Sequence, residues 1–285
     1  MMKIAFSTVA CPEWTLEQVA DRLDDLEFDG VELRTFGDGS TRFACDPALT
    51  APAKVRRLFG ADGAEIAGLG SSARFDEPLF PPPPLGFALG DDERQVREAK
   101  PVVELAQHLN APVVRVFGFE GRATESHKSL RKRVVRRLKK LVDHTRHTNV
   151  TLALENGGSF SKASQVMEVV SEINSPLLRV SYSLNAARQA GENPADGLKT
   201  IGSALVQARV KDHVDGEPVP LGEGELGAEA FVRALSTSGF SGWLVYEWDA
   251  AWLPWIAPAE DVLPGAARTL GKWLAPSRSP VGAGA

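Results

Sequence analysis

The sequence predicts an α/β protein built as a single (β/α)8 barrel. Short apolar runs of strand length alternate with segments of helical periodicity, the pattern of a parallel sheet with crossover helices. Eight such runs occur, the number that closes a barrel rather than an open doubly wound sheet. No Gly-x-Gly-x-x-Gly follows the first run, so a dinucleotide-binding sheet loses support. The 285 residues, 43% hydrophobic and 24% charged, suit one domain with a sizeable core; roughly 250 residues is typical of such a barrel.

The strands are expected near Lys3–Val9, Gly30–Thr35, Glu65–Ser71, Pro112–Phe117, Val150–Glu155, Leu178–Ser183, Leu205–Lys211 and Trp243–Glu247. Thr15-Leu16-Glu17-Gln18 reads as a capping box opening the first helix. Asp46-Pro47 offers an N-cap with proline at the first helical position. Ser161 is the expected cap of the fifth helix, and Pro101 predicts a kink or break in the helical pattern 91–109. Between the third strand and that helix runs a loop, 74–90, containing Pro81-Pro82-Pro83-Pro84. It reads as a stiff polyproline II segment that either walls the pocket or makes a surface excursion. The domain is expected to span residues 1–275, with a disordered tail over 276–285.

Net charge is −5, which gives no general attraction to nucleic acid or anionic membrane. No apolar run is long enough to span a bilayer, no signal peptide is visible, and two cysteines, Cys11 and Cys45, do not suggest a disulfide scaffold. A cytoplasmic location is the simplest expectation. The basic run Lys128–Lys140 has Leu130, Val134, Leu138 and Leu141 at helical spacing, so it reads as a packed helix with a solvated charged face. No aromatics interleave with it, which argues against single-strand binding.

Two glutamates end strand-like runs: Glu155 in Val150–Asn156 and Glu247 in Gly242–Trp248. Barrels carry their chemistry where the strands end. Two carboxylates there can exchange a proton with the two faces of one carbon, or hold a metal ion.

The chain resembles the sugar phosphate isomerases/epimerases of the xylose-isomerase-like TIM barrel group, which is related to endonuclease IV. The segments that carry the likeness are Asp29–Arg34, Gly68–Arg74, Val114–Gly118, Leu152–Asn156, Val210–Asp212 with Leu221–Leu226, and Tyr246–Trp248. The resemblance implies a divalent ion such as Mn, Mg or Zn, held by Glu, Asp, His and Glu from strands five to eight. Glu155 and Glu247 match. Ser183, or Tyr182 with a one-residue shift, stands at the Asp position, and Arg209 stands at the His position. A guanidinium has no lone pair to donate, so no metal cofactor is expected. In the family, an ion of charge +2 faces three carboxylates. Here Arg209 is expected to fork to the two glutamates, which leaves the same net charge of −1.

The expected function is an isomerase- or epimerase-like enzyme moving protons on a carbohydrate or polyhydroxylated cyclic substrate. Glu155 and Glu247 are the expected acid–base pair, with Arg209 and Lys211 holding the oxyanion. Arg115, Asn156, Asn185, Ser183 and Tyr182 are candidate contacts for the substrate, and Ser71 and Ser72 for a hydroxyl or phosphate. His213 is a candidate acid–base group, and Trp248 a ring that stacks on substrate or excludes water from Glu247. Glu32 and Arg34 either line the pocket or pair with each other, and Lys211 is expected to pair with Asp212. Cys11 reads as a buried, idle thiol. Leu253 stands where the family often has a His, so a less polar substrate is a further expectation. Three alternatives stay open: an inactive barrel that binds a ligand or partner, a biosynthetic lyase or cyclase using the same glutamates, and a metal-dependent epimerase with a rebuilt site. The expected partner is a small-molecule substrate, with no nucleic acid and no membrane; a homo-oligomer is consistent with the resemblance.

Overall fold

The computed structural model describes residues 2–23, 25–37, 39–49, 51–60, 64–78 and 91–275. The four-proline run and the 276–285 tail lie outside the described residues. Barrel strands are β1 (Lys3–Ser7), β2 (Gly30–Arg34), β3 (Glu65–Arg74), β4 (Val113–Phe117), β5 (Thr151–Glu155), β6 (Leu178–Ser183), β7 (Leu205–Val210) and β10 (Trp243–Tyr246). They pair in parallel around a closed ring, in the order β1-β10-β7-β6-β5-β4-β3-β2. A short antiparallel hairpin, β8 (Asp212–Val214) with β9 (Glu217–Val219), stands beyond β7. The helices are α1 (Leu16–Leu23), α2 (Pro52–Gly60), α3 (Arg94–Leu109), α4 (His127–Thr145), α5 (Ala163–Ile173), α6 (Leu184–Gln189), α7 (Pro194–Ile201), α8 (Ala228–Thr237) and α9 (Ala259–Leu274). Among the described residues no helix is long and apolar enough to cross a membrane.

Local chemistry explains most of these elements. The Thr15–Gln18 box forms in both directions: Gln18 N–H donates to Thr15 Oγ1 at 3.3 Å and Thr15 N–H to Gln18 Oε1 at 2.8 Å. Asp46 Oδ1 accepts from Ala48 N–H at 3.0 Å and caps a 3-10 turn, Pro47–Leu49, rather than a full helix. The cap of α5 is Lys162, one residue later than Ser161, with Lys162 N–H donating to Gln165 Oε1 at 3.0 Å. Pro101 does not break α3, which runs through it as one helix. Its residues Val102, Val103 and Ala106 are buried, so packing offsets the hydrogen bond that proline cannot make.

Helix α4 buries Leu130, Val134, Leu138 and Leu141 as its spacing requires. Its basic face differs from a merely solvated one. Arg133 pairs with Glu125, Arg136 and Arg137 with Asp92, and Lys140 with Glu93. Arg137 is buried, and its guanidinium also donates to the carbonyls of Phe75, Glu77 and Asp92 and to Gln95 Oε1. The basic run is therefore an ion-pair layer fastening α4 to α3 and to the chain leaving β3.

A bulge in the β2–β3 pairing sets Val31 opposite Ile66 but Glu32 opposite Gly68, which leaves Ala67 extra on β3. Gly70 follows it on β3. A Cβ there would stand 2.9 Å from Glu32 Oε1 and 3.0 Å from an Arg115 nitrogen. The missing side chain lets charges from β2 and β4 meet across β3.

Candidate active site

Alternate residues of each strand point into the barrel. Near the C-terminal ends, β2, β4, β5 and β7 and the residue after β10 contribute Glu32, Arg115, Glu155, Arg209 and Glu247. Arg209 is the hub, with a side chain closed off from solvent. Its Nη1 lies 2.6 Å from Glu32 Oε2 and its Nη2 3.0 Å from Glu32 Oε1, a two-pronged pair between non-neighbouring strands. Nε reaches Glu155 Oε2 at 3.2 Å, and Nη2 also bonds Glu247 Oε1. Arg115 Nη1 donates to Glu155 Oε2 at 2.9 Å, and its Nε lies 3.6 Å from Glu32 Oε2.

Sequence reading placed Arg209 between two glutamates. The structure adds Glu32 as its two-pronged partner and Arg115 as a second cation. Three carboxylates against two guanidiniums again leave one negative charge. Glu32 is fully buried and does not pair with Arg34. Glu155 and Glu247 keep openings toward the mouth, with side chains 12% and 13% exposed. Arg209, closed off from solvent, ties the three carboxylates together.

Burial acts on both open glutamates but with opposite outcomes. At Glu155 it outweighs the pull of Arg115 and Arg209, and the carboxyl is raised above its usual range. At Glu247 burial also raises, but Arg209, Lys211 and Arg115 together outweigh it and hold the group down to about 2. Glu32, fully buried, is likewise lowered by Arg209 and Arg115 against its burial. Two carboxyls on one guanidinium are thus driven apart in proton affinity, as acid–base pairs are.

At the rim, Lys211 Nζ bonds Asp249 Oδ2 at 2.7 Å, and His213 Nε2 stands 3.7 Å from the same oxygen. Burial and then the charge of Lys211 lower the His213 pKa, so its ring is neutral at pH 7. Asp212, the expected partner of Lys211, instead accepts from the N–H groups of His213, Gly222 and Leu226 and orders the hairpin loop.

Several expected substrate contacts are engaged elsewhere. Asn156 Nδ2 donates to the carbonyls of Ser161 and Ser183, both at 3.1 Å, while its Oδ1 accepts from Ser183 N–H at 2.6 Å. Ser183 Oγ caps α6 by accepting from Ala186 N–H. Tyr182 points out of the barrel and donates its hydroxyl to Glu192 Oε2 at 2.6 Å. Ser71 Oγ donates to the Arg115 carbonyl. Ser72 Oγ accepts from Arg34 Nη2 at 2.7 Å. Trp248 is a core residue, its Nε1 donating to the Ala257 carbonyl at 2.7 Å; alternation turns it away from the side that Glu247 faces. Asn185, in the first turn of α6, has a buried Oδ1 with no hydrogen-bond partner among the described residues. Cys11 is buried, as expected, with Cys45 Sγ 3.5 Å from its carbonyl oxygen.

The aromatic part of the mouth comes from residues the sequence reading did not single out, Phe36 and Phe43, with Trp252. Their ring centroids lie 5.0 to 6.1 Å apart. A cavity of about 690 Å3 opens beside this wall, between the loops after β2 and β3 and helix α3. Neither glutamate lines it, so the charged cluster at the strand ends, where barrel chemistry resides, defines the candidate site.

A closed parallel barrel with a carboxylate cluster at its strand ends defines a broad class of α/β-barrel proteins. Within that class, the sequence profile described as xylose isomerase-like TIM barrel matches residues 20–273, and the chain belongs to this family. Among solved structures, an L-ribulose 3-epimerase superposes with a TM-score of 0.78 at 16% identity, over 96% of this chain and 95% of that one. The IOLI protein with a bound zinc atom gives 0.77 at 18% identity, over 96% and 98%. The probable 3-DHS dehydratase AsbF of Bacillus anthracis, involved in petrobactin synthesis, gives 0.75 at 16% identity, over 95% and 99%. No curated protein sequence matches the chain. Identities this low establish a shared fold.

Proposed function

We propose that this chain is an isomerase- or epimerase-like enzyme that moves a proton on a carbon next to a carbonyl in a polyhydroxylated substrate. The observation that carries the reading is the placement of Glu155 and Glu247 on one guanidinium at the strand ends, the two carboxylates of the cluster that open toward the mouth. Glu247, held ionised, takes the proton. The electron pair moves onto the carbonyl oxygen, giving an enediolate. Glu155, which retains its proton more readily, returns one to the carbon or to the oxygen. Lys211, with a side chain 16% exposed at the mouth, supplies positive charge to that oxygen and is held by Asp249. Membership of the family and the sugar epimerases among its structural neighbours support the reading.

The reaction is proposed to run without the family's divalent ion, because the residues do not fit one. The guanidinium of Arg209 occupies the centre of the carboxylates, where it offers N–H donors and no lone pair. Among the described residues no three His, Cys, Asp or Glu side chains are grouped to hold a metal.

A second reading is loss of water from the same enediolate, favoured by the apolar wall of Phe36, Phe43 and Trp252 at the mouth. It begins with the same proton removal and ends with Glu155 protonating a departing hydroxyl. Incubation in D2O with a panel of ketoses, inososes and their acids separates these outcomes. Deuterium entering one carbon without change of mass balance indicates isomerisation or epimerisation, and loss of water indicates elimination. Glu155→Gln and Glu247→Gln are each expected to abolish either reaction while preserving the fold. Turnover that survives Glu247→Gln would overturn the assignment.

A further inference from the structure

Arg34 follows Glu32 by two positions on β2, so it faces the same side of the sheet, one layer nearer the mouth. Its residue is only 8% exposed. Its Nη1 donates to the carbonyls of Thr35 at 2.9 Å and Gly70 at 2.7 Å, and its Nη2 to Ser72 Oγ at 2.7 Å. All three acceptors are neutral. A guanidinium carries five N–H donors, so two remain without a partner among the described residues. The carboxylates of Glu32 and Asp46 act on Arg34 from a distance but form no ion pair with it, so a buried cation is left without a directly bonded anion, which is costly. Burial, then the charge of Arg115, weakens its hold on its proton to about 9, which still leaves it charged at neutral pH.

A second guanidinium stacks on the same aromatic ring. Arg34 lies over the Phe36 ring at 4.2 Å and Arg42 over the same ring at 4.6 Å, and Arg42 also lies over Trp252 at 4.7 Å. Trp252 comes from the loop just after Glu247, so the stack joins the β2 and β10 loops at the mouth. Arg42 makes no ion pair with any of the described residues. Counting Arg34, three guanidiniums face three carboxylates in the barrel. Once Glu155 holds the proton that an acid must hold, one positive charge is left over.

We propose that Arg34 and Arg42 form a subsite for an anionic group of the substrate, a carboxylate or a phosphate. The substrate is then a polyhydroxylated anion and not a neutral sugar, an inference that rests on the acid–base reading of Glu155 and Glu247. Guanidinium forks match both anions, and the aromatic rings fix their planes.

Binding can be measured without turnover, by calorimetry and thermal shift at constant ionic strength. The probes are D-gluconate, D-glucitol 6-phosphate and neutral D-glucitol. One or both anions are expected to bind saturably and at least tenfold more tightly than glucitol, and the tighter of the two names the source of the charge. Arg42→Ala, at an exposed position, and Arg34→Gln are each expected to remove most of that preference; Arg42→Ala serves alone if Arg34→Gln does not fold. Equal binding of glucitol, no binding of either anion, or an anion preference unchanged in Arg42→Ala would overturn the subsite. Glu247→Gln is expected to keep the anion preference, so a failed acid–base reading and a failed subsite give different results.

Discussion

Arg209 shows how one residue decides what the others can be. It pairs with Glu32, Glu155 and Glu247 at once, and its charge is the largest of those that hold Glu32 and Glu247 ionised. Arg209→Met is expected to cost about 3–5 kcal/mol, because it leaves buried carboxylates unpaired; chemical denaturation at neutral pH measures this. Arg209→Lys is expected to fall short as well, since an ammonium cannot fork to Glu32 while reaching two more carboxylates. The pH dependence has two opposite parts. Glu32 and Glu247 have folded pKa values below the ordinary 4.5, so their stabilisation is full above that value and is lost as pH falls through the folded values, which for Glu247 is about 2. Glu155 is raised, so its contribution is present below 4.5 and is lost as pH rises through its folded value. Glu155→Gln is therefore expected to flatten the decline of stability on the alkaline side of that value, read from melting temperatures across pH. In the sequence, Glu155, Glu247 and Arg209 were legible because they end strands. Glu32 was placed near the pocket but its partner was not, since a contact between β2 and β7 leaves no mark of spacing. Asn156, Tyr182 and Ser183 looked like ligands because polar residues at strand ends also serve as caps and loop ties, and sequence does not separate the two uses.

Among the elements, the join between α3 and α4 carries the most polar investment. Buried Arg137 ties α4 to the chain leaving β3 through the carbonyls of Phe75 and Glu77 and to the start of α3 through Asp92 and Gln95. Arg137→Ala strands several of those acceptors, each costing about 1–3 kcal/mol when left unsatisfied. The expected result is faster amide exchange confined to residues 74–78 and the first turn of α3, with β5 to β7 unchanged, as hydrogen-exchange mass spectrometry would resolve. Strands and helices were readable from alternation and periodicity, and the Thr15–Gln18 box from its spacing alone. The hairpin β8–β9 and the short helix α6 were not. They are held by Asp212 and Ser183, whose hydrogen bonds go to backbone groups that no side-chain pattern announces. The charged face of α4 looked solvated because Asp92 and Glu93, the partners of Arg136 and Lys140, lie 44 and 47 positions away, in the segment just before α3.

At the scale of the whole molecule, the eight strands close one ring, and the proposed chemistry draws its residues from five places around it. A metal-dependent relative would lose stability when its ion is stripped. This chain is expected to keep its melting temperature and its turnover after exhaustive chelation, and to show no saturable shift with Mn, Zn, Co or Mg. A near-stoichiometric ion in protein purified without chelator would overturn that expectation. The barrel itself was legible because eight repeats of one pattern over most of the chain leave few alternatives. The arginine stack at the mouth was not, because it depends on loop geometry between β2 and β10.

The bond between Glu32 and Arg209 joins residues 177 positions apart. A ribosome must therefore make most of the chain before the acid finds its base. Until then the early half carries Glu32 with Arg34 and Arg115, a surplus of one positive charge, and the late half carries Glu155 and Glu247 with Arg209, a surplus of one negative charge. Each half lacks what the other holds, so neither can dry out its own interior cheaply. Closing of the ring and assembly of the site thereby become a single late step in folding, and a chain cut between β4 and β5 is expected to yield two pieces that fold only on meeting.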